Sequence, residues 1–138
     1  MLGPILKEYP DKVRLVFKDF PLDIHPAALP AHEAARCAGE SGKYWPYHDR
    51  LFEAQPNFNR ADLIRYAAEV GVPRDPFVKC LDSGRFRSLV ERDVQEGQRV
   101  GIRSTPTFFV NGQPLVGAAP YETFKELIDN ALQQGTRK

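Results

Sequence analysis

The sequence predicts an α/β fold, and three observations carry that expectation. Val13–Phe20 (VRLVFKDF) is dense in β-branched and aromatic residues and stops at Pro21, as a strand does. From about Pro26 to Val100 the chain has helical character and no convincing strand. Thr105 to Val116 then returns to strand composition around Asn111-Gly112, a strong hairpin turn signal, and a final amphipathic helix follows.

Taken in order, Met1 to Tyr9 (Leu2, Ile5, Leu6) reads as the last turns of a helix, ended by Pro10-Asp11-Lys12. The centre of the next segment, Leu15-Val16-Phe17, is apolar on both faces, which suits a strand covered on both sides. Ala27 to Glu40 is filled with alanine, a strong helix former of small volume, and Gly39 and Gly42 bracket its end. Tyr44 to Phe52 places Trp45, His48, Leu51 and Phe52 on one helical face, which is expected to be core. Asn59 can cap a helix carrying Leu63, Ile64, Tyr66, Ala67 and Val70, with Gly71 closing it. Asp75 opens another through Phe77, Val78 and Leu81, and Ser83 is expected to start the last long one, through Phe86, Leu89, Val90, Val94 and Val100. Pro114 cannot donate to a ladder, so the second hairpin strand, Gln113 to Val116, should lie at an edge or turn the Pro114 nitrogen outward. Tyr121 to Gln134 turns Phe124, Leu127, Ile128, Ala131 and Leu132 inward.

Composition narrows the function. A chain of 138 residues is one domain's worth, enough to bury roughly 65–70% of the surface its unfolded form exposes. Hydrophobic residues at 42% and charged residues at 27% give an ordinary globular balance. Net charge is +1, with 19 basic and 18 acidic side chains spread along the chain, so no one-signed field favours nucleic acid or an anionic membrane. No apolar run reaches the ~18 residues of a transmembrane helix, and Met1 to Lys18 lacks the basic start and apolar core of a signal peptide. His25, His32 and His48 have no metal-ligand spacing and no cysteine cluster beside them, so no metal is expected. Tyr44, Trp45, Tyr47 and Phe52 are expected to be core rather than a binding box. Arg85, Arg87 and Arg92 read as a solvated helix face, and no phosphate loop or Ser–His–Asp set is apparent. The two cysteines, Cys37 and Cys80, fit either one structural disulfide or two buried thiols.

Strand, helical block, hairpin, helix is the layout of the thioredoxin superfamily with a large helical insertion. The chain resembles its DsbA-like family through Val13–Leu22, His25-Pro26, Ala34 to Ala38, Gly42 to Trp45 with His48-Asp49 and Leu51-Phe52, and Cys80 to Gly84. The most specific piece is Gly101 to Gly112 (GIRSTPTFFVNG). The resemblance implies a single domain over residues 1–138 with an insertion at about 26–100. It also implies an N-terminally truncated form. Family members carry a strand and a Cys-x-x-Cys at a helix start, roughly 20–30 residues, before the first of these pieces. A thiolate at a helix N-terminus has a lowered pKa and a second cysteine one turn on resolves the mixed disulfide, but neither Cys37 nor Cys80 has such a partner.

The expected function is therefore a protein-disulfide oxidoreductase domain whose catalytic dithiol is absent, inactive as given, with no catalytic residue and no cofactor. The resemblance implies a cis Thr105–Pro106 peptide whose turn presents backbone to extended or unfolded polypeptides, making Thr105 and Pro106 substrate-binding. It makes Cys37 and Cys80 structural, leaves their pairing open, and places the protein in an extracytoplasmic or periplasmic compartment. In the family the absent strand lies between those matching Val13–Phe20 and Thr105–Val110. Its loss leaves two strands that either close up on each other or accept a segment from a second copy, and self-association is the expectation. Two other readings are a non-catalytic peptide-binding module and a DsbA-like isomerase or glutathione-transferase relative; Cys80-Leu81-Asp82-Ser83-Gly84 fits the last less well.

Overall fold

The computed structural model describes residues 2–136, which divide into two compact units. One is built from residues 2–17 and 101–136, the other from Lys18–Val100. The described residues form an α/β fold, mostly helical with one small two-stranded sheet.

The first unit holds α1 (Gly3–Glu8), the hairpin β1 (Thr107–Val110) and β2 (Gln113–Val116), and α7 (Tyr121–Thr136). Asn111 and Gly112 take φ of 48° and 86°, the left-handed pair that a two-residue hairpin turn requires. They set the register Val110↔Gln113, Phe109↔Pro114, Phe108↔Leu115 and Thr107↔Val116. Pairs alternate between bonded and non-bonded along an antiparallel ladder, so Phe109 and Pro114 turn their backbone groups outward. Pro114 thus sits where its missing N–H costs no ladder bond. Phe108 meets Phe124 of α7 edge-on at 4.8 Å, beside a core of Ile5, Tyr9, Phe124 and Ile128. Tyr9 donates its hydroxyl to Asp129 at 2.5 Å, tying the end of α1 to α7.

The second unit contains α2 (Ala28–Gly39), α3 (Tyr44–Ala54), α4 (Arg60–Glu69), α5 (Arg74–Ser83) and α6 (Arg87–Arg99). The small side chains Ala31, Ala34, Ala35 and Ala38 are buried on one side of α2, and their size lets neighbouring helices approach closely. Tyr47 and Tyr66 fill the space, and their hydroxyls donate to the carbonyls of Leu63 at 2.9 Å and Asn57 at 2.8 Å. Burial without those partners would cost about 1–3 kcal/mol each. Asn59 caps α4 by accepting the Asp62 amide at 2.8 Å.

Three expectations are corrected. Val13–Phe20 is not a strand: its side chains alternate in exposure, but the sheet contains β1 and β2 alone. A β pattern becomes a strand only with a hydrogen-bonded neighbour, and here Val16 is 57% exposed rather than covered. Nor do Val13–Phe20 and β1 pair as neighbouring strands. Second, Ser83 ends α5 instead of starting α6, because Gly84 at φ 66° forms a left-handed cap there. Third, α3 is rotated from its expected face. Tyr47 and Leu51 are buried, while Trp45 and Phe52 are 42% and 56% exposed and flank His48 at 5.2 and 4.7 Å. The stripe of Trp45, His48 and Phe52 is therefore an outer aromatic cluster, not core.

Candidate functional site

The turn before β1 carries the two residues singled out in the sequence. Thr105 and Pro106 are exposed, and the peptide between them is cis, as is Gln55–Pro56. The turn is pinned on both sides. The Thr107 hydroxyl donates to the Ser104 carbonyl at 2.7 Å, and the Gly117 amide donates to the Pro106 carbonyl at 2.8 Å. Between these anchors, the Thr105 amide and carbonyl hydrogen-bond to no other described residue. The result is a fixed, solvent-facing backbone segment continuous with β1. Along β1 the outward groups of Thr107 and Phe109 extend the same edge, and Phe109 is 45% exposed. Within β1 itself, Thr107 to Val110, the strand carries no charged residue or proline, whereas Pro114 blocks the outer edge of β2.

The cysteines belong to the helical unit. Cys37 near the end of α2 and Cys80 on α5 form a disulfide with Cα atoms 5.9 Å apart, and both are buried. Among the described residues no cysteine is free, so no thiolate is available for exchange. Sequence reasoning left the pairing open because it cannot place α2 beside α5. Glu40, three residues after Cys37, brings a carboxylate oxygen to 3.1 Å from Cys80 Sγ and forms an ion pair with Arg85. A disulfide sulfur carries no proton, so the contact with Cys80 is not a hydrogen bond.

Sequence reasoning missed the polar centre of the helical unit. Asp19 is 2% exposed, and its carboxylate takes His32 Nδ1 at 2.8 Å and Arg36 Nε at 2.6 Å. Asp93 accepts Arg36 Nη2 at 2.8 Å and the Asp19 amide at 2.9 Å. Burial pushes the Asp19 carboxyl up, but the hydrogen bonds and charges of His32 and Arg36 outweigh it and hold the carboxyl below the usual carboxylate range. The available signal was His32 and Arg36 four apart on one face of α2. Their acidic partners come from distant segments and could not be read locally. Among the histidines, only His32 joins this network; His25 lies in an exposed loop and His48 in the outer aromatic cluster.

An exposed turn running into a hairpin packed on α7, in a chain whose middle forms a separate helical block, has the element order of a thioredoxin-fold domain. The family pattern described as thioredoxin matches residues 1–130, and the chain belongs to that family. It is 40% identical over 121 residues to the Na(+)/H(+) antiporter NhaA 3 of Salinispora tropica, covering 87% of this chain and 19% of that protein. It is 36% identical over 127 residues to the Na(+)/H(+) antiporter NhaA of Herminiimonas arsenicoxydans, covering 92% and 20%. The chain thus spans about a fifth of the length of these curated relatives. A thioredoxin-like oxidoreductase from Silicibacter pomeroyi DSS-3 superposes with a TM-score of 0.85 over 96% of this chain and 75% of that one, at 23% identity, which establishes the shared fold. Among the described residues no helix is long and apolar enough to cross a membrane.

Proposed function

We propose that the chain is the scaffold of a DsbA-like protein-disulfide oxidoreductase domain acting on extended or unfolded polypeptides, with its catalytic dithiol outside the residues of this chain. The observation carrying this reading is the Thr105–Pro106 turn. It is exposed, fixed at Ser104 and Gly117, and leaves the Thr105 backbone groups open to pair with a polypeptide as an added strand. The family match supports thiol–disulfide chemistry for the domain. The antiporter names belong to much longer proteins, so the reading does not rest on them. With both cysteines joined in a buried disulfide, the isolated chain should not reduce insulin above the uncatalysed rate. A structural disulfide also supports an extracytoplasmic or periplasmic location.

The test is amide hydrogen exchange of the chain with and without a reduced, unfolded polypeptide. Slower exchange at Thr105 supports docking there. Unchanged exchange at Thr105 while the polypeptide binds elsewhere overturns it. Docking without insulin reduction would favour the non-catalytic peptide-binding reading for the chain by itself. Insulin turnover comparable to that of a dithiol-bearing relative would contradict the absence of a redox centre.

The unguarded β1 edge supports self-association by strand addition from a second copy. A single monomer mass by light scattering at micromolar concentration refutes this.

A further inference from the structure

Cys37, Glu40 and Cys80 each place one donor atom within 4.8 Å of the other two. We infer that reduction of the Cys37–Cys80 disulfide converts this cluster into a binding site for a thiophilic divalent cation of the zinc type, with both thiolates and the Glu40 carboxylate as ligands.

The geometry carries the argument. Cys37 and Glu40 stand three residues apart at the end of α2, so both reach the same side of its last turn. Cys80 faces them from α5, with its Cα 5.9 Å from that of Cys37. A tetrahedral zinc with bonds of about 2.3 Å to sulfur needs the two sulfurs about 3.8 Å apart. Freed thiols can reach that separation by side-chain rotation, with both Cα atoms left in place. The Glu40 oxygen already lies 3.1 Å from Cys80 Sγ. Three protein ligands leave a fourth position, and the partly exposed Glu40 side opens it to water while the sulfurs stay buried.

The electrostatics agree. Cys37 and Glu40 lie at the C-terminal end of α2 and Cys80 in the last turn of α5, where helix carbonyls favour positive charge. In the disulfide form the Glu40 carboxylate is matched by Arg85 instead, as its ion pair shows. In the reduced form the cation would take over that role from Arg85, which competes with it for the Glu40 carboxylate.

The chemistry balances. A dithiol reductant supplies two electrons and two protons, becoming a disulfide itself while the Cys37–Cys80 bond breaks to give two thiols. The cation then displaces both thiol protons to solvent as its bonds to the sulfurs form.

The test uses the whole chain, oxidised and reduced, with the reductant removed under anaerobic conditions and Co(II) as the spectroscopic probe. Thiolate-to-cobalt charge-transfer absorption should appear in the reduced chain, saturate at one equivalent and vanish on adding Zn(II). The oxidised chain should show none. Glu40→Gln should weaken reduced-state binding by at least about tenfold, as expected for loss of a metal-site group. Arg85→Gln, which breaks the same ion pair without removing a ligand, should leave binding equal or tighter. No binding by the reduced chain, folded or not, overturns the site. So does binding indifferent to Glu40→Gln, which marks two thiols acting without the carboxylate. Equal weakening by Arg85→Gln overturns it as well, because the loss would then follow the ion pair.

Discussion

Replacing Asp19 with asparagine tests whether its ion network is what secures the polar centre of the helical unit. Asparagine keeps the size but not the charge, and its amide nitrogen presents donors to His32 or Arg36, which already donate. Removing one partner of a buried ion pair costs about 3–5 kcal/mol because the other charge is left uncompensated. Here Arg36 is 25% exposed and keeps Asp93, so water and the second carboxylate soften the loss. The expected cost is about 2–3 kcal/mol at neutral pH, below that range because of solvent screening. The single tryptophan, Trp45, lies on α3 of the same unit, so its fluorescence during urea unfolding reports on the element in question. The pH dependence supplies a second check. The folded Asp19 carboxyl titrates below its ordinary value, so in acid the unfolded chain binds the proton first. Its stabilisation is therefore fully present above about pH 4 and is lost as pH falls through the folded value. The gap between the natural chain and D19N should shrink over that acidic window. A loss under about 0.5 kcal/mol at neutral pH, within ordinary surface-substitution scatter, would refute the reasoning. So would a gap that stays constant into acid.

Other consequences are more direct. Double replacement of Cys37 and Cys80 by serine releases a loop with a sequence separation of 43, and a chain-entropy model gives a loss of about 4 kcal/mol by urea unfolding. Tyr47→Phe deletes a buried hydroxyl bonded to the Leu63 carbonyl, which keeps its place in the α4 ladder, so the loss should be about 1 kcal/mol in the same assay. Asn59→Ala removes the α4 cap and should cost about 1 kcal/mol, with faster amide exchange at Asp62 as its local signature. Phe109→Lys charges the β1 edge and should reduce any self-association measured by sedimentation without disturbing the buried Phe108–Phe124 contact.

Several features were legible from local chemistry. Asn59 caps α4, Asn111-Gly112 forms the hairpin, and Pro114 turns to an edge, each because a particular backbone conformation or a missing donor suits few residues. Phe124 and Ile128 face inward on α7 because the rest of that helix is polar enough to leave one apolar side. On α3 the rule had no such purchase: aromatic residues occupy both sides. Burial fell to Tyr47, whose hydroxyl reaches the Leu63 carbonyl, and left Trp45 and Phe52 outside.

Sequence by itself therefore determined the order and kind of most elements, the family, and the exposed Thr105–Pro106 turn. These depend on periodicity, turn chemistry and short motifs, all encoded within a few neighbouring residues. Tertiary structure alone decided that Cys37 bonds Cys80 with Glu40 against it, that Asp19 gathers His32, Arg36 and Asp93, and that Val13–Phe20 has no sheet partner. Each of those depends on groups far apart in the chain meeting within a few ångströms. Such meetings are fixed by how helices and strands pack, which local sequence does not specify.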